Sequence, residues 1–88
     1  MRYSLRRTRD GAGDAGPMSL ALDYVDGQFV EGGNRPRLGY AMRVGSYFGG
    51  TFSTQDYWTT TRVTEIYEDR PDYVRFKTGN SEYEWRAF

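Results

Sequence analysis

From residue 73 to residue 86 apolar and polar side chains alternate with a period of two. The run Tyr73-Val74-Arg75-Phe76-Lys77-Thr78 is followed, after Gly79-Asn80, by Ser81-Glu82-Tyr83-Glu84-Trp85-Arg86. Such alternation predicts two half-buried strands, and a two-residue loop led by glycine suits a type II′ hairpin turn. The turn then fixes the register: Thr78 faces Ser81, Lys77 faces Glu82, Phe76 faces Tyr83, Arg75 faces Glu84, Val74 faces Trp85 and Tyr73 faces Arg86. Val74, Phe76, Tyr83 and Trp85 fall on a core face, and Arg75, Lys77, Glu82 and Glu84 on a wet one. A slip of one residue would bury the charges, so pattern and turn specify the same pairing.

The same signal recurs upstream. Asp26-Gly27 predicts a type I′ turn that pairs Val25 with Gln28, Tyr24 with Phe29 and Leu22 with Glu31, which would place the aromatic pair on the core face. Leu38, Tyr40 and Met42 alternate with Gly39, Ala41 and Arg43 and predict a strand over 38–44. Residues 59–68 are rich in β-branched side chains and predict a further strand. Within it Val63 and Ile66 have opposite parity, which requires either a bulge or burial on both faces. Glu68 to Asp72, with Pro71, reads as a turn. Tyr3 and Leu5 alternate with polar residues, as in a short edge strand or a solvated terminus, and the small residues of Asp10 to Pro17 read as a mobile connector. Gly45 to Trp58 lacks a clean period. It is expected to be a strand-turn-strand bending at Gly49-Gly50 and also a recognition loop, because Tyr, Trp, Ser and Gly give large contacts at low entropy cost.

No stretch carries sustained helical periodicity. The expectation is an all-β chain, a small antiparallel meander or partly open barrel of SH3 or OB type with five to six strands. Residues 1–88 form a single domain, with a flexible basic arm and Gly-rich loop over about 1–17. Its open edges call for barrel closure or for dimerisation through the N- or C-terminal strand, so the chain is expected as a monomer or homodimer.

Composition narrows the chemistry. The 88 residues contain neither cysteine nor histidine. That removes disulfides, thiolate metal sites, the usual nucleophile–base pairs and the common transition-metal ligands, so no metal, cofactor or catalytic set is expected. A hydrolase using Asp56, Glu65 or Asp69 is the third-ranked reading, since no spacing places two carboxylates across a cleft. Aromatic residues make up 17% of the chain, enough for a few large side chains to build so small a core. Formal net charge is +0, against nucleic-acid binding by overall attraction. Arg2, Arg6, Arg7 and Arg9 nevertheless crowd the first ten residues. No apolar run is long enough to span a bilayer, and no export signal is visible, so a cytoplasmic location is expected.

Thr60-Thr61-Arg62-Val63-Thr64-Glu65-Ile66 and Phe76-Lys77-Thr78-Gly79-Asn80-Ser81-Glu82-Tyr83 follow a Thr-Thr-x-Val-x-Glu-Ile strand and a Phe-x-Thr-x-Asn-Ser-x-Tyr hairpin. In this the chain resembles the closing β-meander of small uncharacterised proteins from phages and mobile elements. The resemblance implies a phage-derived, non-enzymatic binding protein in the host cytoplasm. It would inhibit a larger host protein or ribonucleoprotein complex, a host-defence or CRISPR system among them, by occupying its surface. The expected contact residues are Arg43, Tyr47, Phe48 and Tyr57, with Arg6 and Arg7 touching phosphate or an acidic surface. The alternative is a small-barrel protein that binds single-stranded nucleic acid, its aromatics stacking on bases.

Overall fold

The C-terminal hairpin forms in the register its alternation dictates. In the computed structural model, which describes residues 1–46 and 56–88, Tyr73–Thr78 and Glu82–Ala87 pair with Val74 opposite Trp85, Arg75 opposite Glu84 and Phe76 opposite Tyr83. The turn differs from expectation: Gly79 does not take the positive φ that a II′ turn needs. The Thr78 hydroxyl holds the bend instead, accepting the amides of Asn80 and Ser81 at 3.4 and 3.3 Å.

Among the described residues eight strands form rather than five or six. They are β1 (Tyr3–Arg7), β2 (Gly13–Gly16), β3 (Met18–Val25), β4 (Gln28–Glu31), β5 (Ala41–Ser46), β6 (Asp56–Arg70), β7 (Tyr73–Thr78) and β8 (Glu82–Ala87). No helix occurs among the described residues. All pairings are antiparallel in one open sheet of order β2-β1-β8-β7-β6-β5-β3-β4. The basic segment expected as a flexible arm is β1, an inner strand between β2 and β8, and part of the Gly-rich loop is β2. Tyr3 and Leu5 explain this: both point into the core, so the terminus is drawn into the sheet by burial. The terminal strands β1 and β8 are therefore neighbours, not free edges.

Alternation builds the core from Tyr3, Leu5, Ala21, Met42, Val44, Val63, Val74, Phe76, Tyr83 and Trp85. The expected strand over 38–44 starts later, at Ala41, and Leu38 is exposed. The opposite parity of Val63 and Ile66 is resolved by irregularities in β6, where the register with β7 shifts between Val63 and Glu65 and again between Ile66 and Glu68. A further shift against β5 leaves the Met42 amide without a ladder partner. The Thr60 hydroxyl accepts it at 3.0 Å.

Only Pro17 separates β2 from β3, so the chain turns a corner there, and β2 folds back over β5 and β6. The approach is close enough that a Cβ on Gly16 would lie 2.3 Å from the Gly45 carbonyl oxygen. Gly16→Ala is expected to lower stability by about 1–3 kcal/mol, because backbone must move to admit the methyl group. Gly79→Ala, which meets nothing within 4 Å, should leave it unchanged or slightly higher. Urea midpoints of the two variants check this, and equal midpoints would contradict the close approach.

The two ends of the core are closed by arginines. At one, Trp85 Nε1 donates to Ser19 Oγ at 2.9 Å, Ser19 donates to the Asn34 carbonyl at 2.7 Å, and Arg35 lies 5.3 Å from the Trp85 ring centre. Arg35 is itself fixed by Asp69 and by the carbonyls of Arg70 and Pro71. At the other end Arg7 lies 5.2 Å from the Trp58 ring centre.

Candidate binding surface

The sheet has two outer faces with opposite chemistry. On β6, β7 and β8 most of the outward charges are paired with one another. Arg75 pairs with Glu82 at 2.6 Å and Glu68 at 3.7 Å, Arg70 with Glu68 at 3.0 Å, and Arg86 with Glu84 at 3.6 Å. Tyr73 donates its hydroxyl to Glu84 at 2.6 Å, and the guanidinium groups of Arg70 and Arg86 lie 4.8 and 4.6 Å from its ring centre. Charges paired in this way offer little to a partner, because each would first have to be separated from its neighbour. The pairs are solvent-accessible, so Glu82→Ala is expected to change the melting temperature by no more than about 0–1 kcal/mol would produce.

The Glu84 hydrogen bond, with burial, raises the Tyr73 pKa above its ordinary 10.0. A raised folded value means the contribution is intact below the unfolded pKa and is lost as pH climbs through the folded one. Thermal melts should therefore begin to lose stability above about pH 10, and Tyr73→Phe should flatten that part of the profile. At the acid end Asp10 is drawn down to about 2, first by Arg7 and then by the Ala12 amide. Its contribution is present above the unfolded value and disappears as pH falls towards the folded one.

The outer face of β3, β4, β5 and β6 is built differently. Cross-strand register aligns Leu20 with Arg43, Leu22 with Ala41, Tyr24 with Phe29, Arg43 with Thr59 and Gly45 with Tyr57. Leu22 is buried yet stands outside the main core, so the face has a small apolar floor of its own. Above it the Tyr24 and Phe29 rings meet edge to face, 5.0 Å between centres, and remain 57% and 63% exposed. Arg43 ties them to the next strand. Its guanidinium lies 5.9 Å from the Phe29 ring centre and 4.5 Å from that of Tyr57, while Nε donates to Thr59 Oγ1 at 3.0 Å. A planar cation held between two rings is oriented before any partner arrives.

The structure thus brings together two of the expected contact residues, Arg43 and Tyr57. Tyr47 and Phe48 lie outside the described residues. Arg6 and Arg7 are on β1, away from this cluster, and they differ from each other. Arg6 points to solvent, whereas Arg7 faces inward over Trp58 and is bound by Asp10 through Nε at 3.0 Å and Nη2 at 2.7 Å. Asp10 neutralises the charge that would have met a phosphate.

Tyr24 and Phe29, expected on the core face, lie on the surface instead. Their pairing is as expected, and Asp26 and Gly27 carry the positive φ values of 51° and 80° that the turn needs. The hairpin, however, runs past the last β3–β5 pair at Leu22–Ala41, so among the described residues no strand continues beside it. One signal could have revealed this: Val25 and Val30 lie on the opposite face of the same hairpin, and a core this small cannot cover both faces.

Among the described residues no group of carboxylates is placed to hold a metal ion. Asp69 is engaged by Arg35 and Glu65 lies opposite Lys77. No family model matches the chain, and neither curated proteins nor solved structures give a match.

Proposed function

We propose that the chain is a non-enzymatic binding protein whose contact surface is the outer face of β3, β4, β5 and β6. One observation carries this reading: the exposed Tyr24–Phe29 pair with Arg43 stacked between Phe29 and Tyr57. Aromatic residues and arginine are the side chains that concentrate binding energy at protein interfaces, and held rings lose little entropy on contact. The resemblance of 60–66 and 76–83 supplies the biological setting. In this reading the protein is a phage-derived inhibitor that covers a surface on a larger host protein or ribonucleoprotein complex, with host defence the favoured case.

The test is affinity capture from bacterial lysate with the tagged parent, Phe29→Ala and Glu82→Ala. A protein complex recovered by the parent and by Glu82→Ala, but lost with Phe29→Ala, supports the reading. Recovery of mixed DNA or RNA, weakened steeply by salt, would favour the single-stranded nucleic-acid alternative instead.

A further inference from the structure

The sheet order leaves two terminal strands, β2 and β4, and they are unequally protected. β2 is folded against β5 and β6, with Gly16 in backbone contact with Gly45. On the hairpin formed by β3 and β4, the side next to β5 is blunted where it outruns that strand, because Asp23 Oδ1 accepts the Tyr24 amide at 2.8 Å. Among the described residues nothing equivalent guards β4. All four of its residues, Gln28 to Glu31, are exposed, and they include no lysine, proline or bulge, three of the devices that keep an edge from pairing; Glu31 is its one charge.

Hairpin geometry fixes what this edge presents. Val25 and Gln28 flank a two-residue turn and so form a hydrogen-bonded pair, as do Asp23 and Val30 two residues on. The amide and carbonyl groups of Phe29 and Glu31 consequently point away from β3. We infer that β4 pairs antiparallel with β4 of a second copy of this chain about a two-fold axis at Val30, joining two sheets edge to edge.

The sequence of the edge is complementary to itself in that register. Phe29 stands opposite the partner's Glu31, and their backbone groups bond reciprocally on both sides of the axis. The two Val30 side chains meet at the axis, on the opposite face. The charges also match. Glu31 forms no ion pair among the described residues, and the partner's Glu31 arrives beside the Phe29 ring that carries Arg43. The positive charge of that guanidinium favours a carboxylate placed there. The pairing stands independently of the binding role proposed above. It would join the two aromatic faces into one surface of twice the length.

The test is sedimentation of the full chain over roughly 10 μM to 1 mM, with hydrogen exchange at the two ends of that range. The expected mass rises with concentration from 10.2 kDa towards twice that value. The amides of Phe29 and Glu31 should gain protection as it rises, while that of Val30 is protected throughout. Val30→Lys places two cations at the axis and should weaken association about tenfold or more. Glu31→Arg should weaken it as well, and adding Arg43→Glu to Glu31→Arg should restore it. Both single changes are at exposed positions, so dilute samples should melt like the parent. A parent that stays at one chain mass throughout would overturn the pairing and leave the edge to a strand of another protein. So would a dimer that Val30→Lys and Glu31→Arg fail to weaken.

Discussion

Trp85→Ala is expected to leave the protein largely unfolded at room temperature. The indole is 1% exposed, stacks on Tyr3 with ring centres 5.8 Å apart, and donates to Ser19. Truncating a buried aromatic of this size costs about 3–5 kcal/mol, partly as lost transfer free energy and partly as the cavity left behind. A chain of 88 residues has roughly 4–13 kcal/mol to lose, so one substitution removes a large share. The position matters beyond its area, because Trp85 links three separated parts of the chain. Ser19 at the start of β3 holds it, the loop carrying Asn34 is bonded through Ser19, and Arg35 from the same loop covers it. Ser19→Ala should then cost about 1–3 kcal/mol, since it orphans a buried N–H while leaving the ring in place. Urea denaturation followed by tryptophan fluorescence for Ser19→Ala and by circular dichroism for Trp85→Ala measures both. A Trp85→Ala variant melting within a few degrees of the parent would mean that the core is organised around some other residue.

The legible part of this fold was that governed by local rules. Alternation and a two-residue turn fixed the pairing of Val74 with Trp85 and of Phe76 with Tyr83, and the same logic gave Tyr24 opposite Phe29. The parity conflict between Val63 and Ile66 announced the irregular stretch of β6. What local rules could not give was the order in which distant strands meet. β1 lies beside β8 because Tyr3 and Leu5 find burial there, and β2 exists as a strand because the backbone of residues 13–16 is in register with β1. A Gly-rich stretch carries no side-chain pattern to show either. The candidate surface was half legible for the same reason. Arg43 and Tyr57 stood out by residue type, but whether Tyr24 and Phe29 face core or water depends on where β5 ends. The β3–β5 register decides that, and it was not visible from the hairpin.

The second large effect is expected at this surface. Phe29→Ala should weaken binding to the captured partner by roughly thirtyfold or more, equivalent to about 2 kcal/mol. It should do so without lowering the melting temperature, because the ring is already 63% exposed and contributes little burial to the fold. Tyr24→Ala should act in the same direction, since Tyr24 supports the Phe29 ring edge to face. Arg43→Lys is the informative companion. Lysine keeps the charge, but it cannot lie flat between the Phe29 and Tyr57 rings or reproduce the Nε bond to Thr59. If the planar guanidinium organises the surface, Arg43→Lys weakens binding nearly as much as Arg43→Ala; if only its charge matters, Arg43→Lys binds like the parent. Isothermal titration of the purified partner against each folded variant separates these outcomes. Parent-like affinity for Phe29→Ala and Arg43→Ala together would remove the aromatic face from the interaction. The search for the contact surface would then move to the solvent-facing side of β1 around Arg6, since Arg7 is turned inward and held by Asp10.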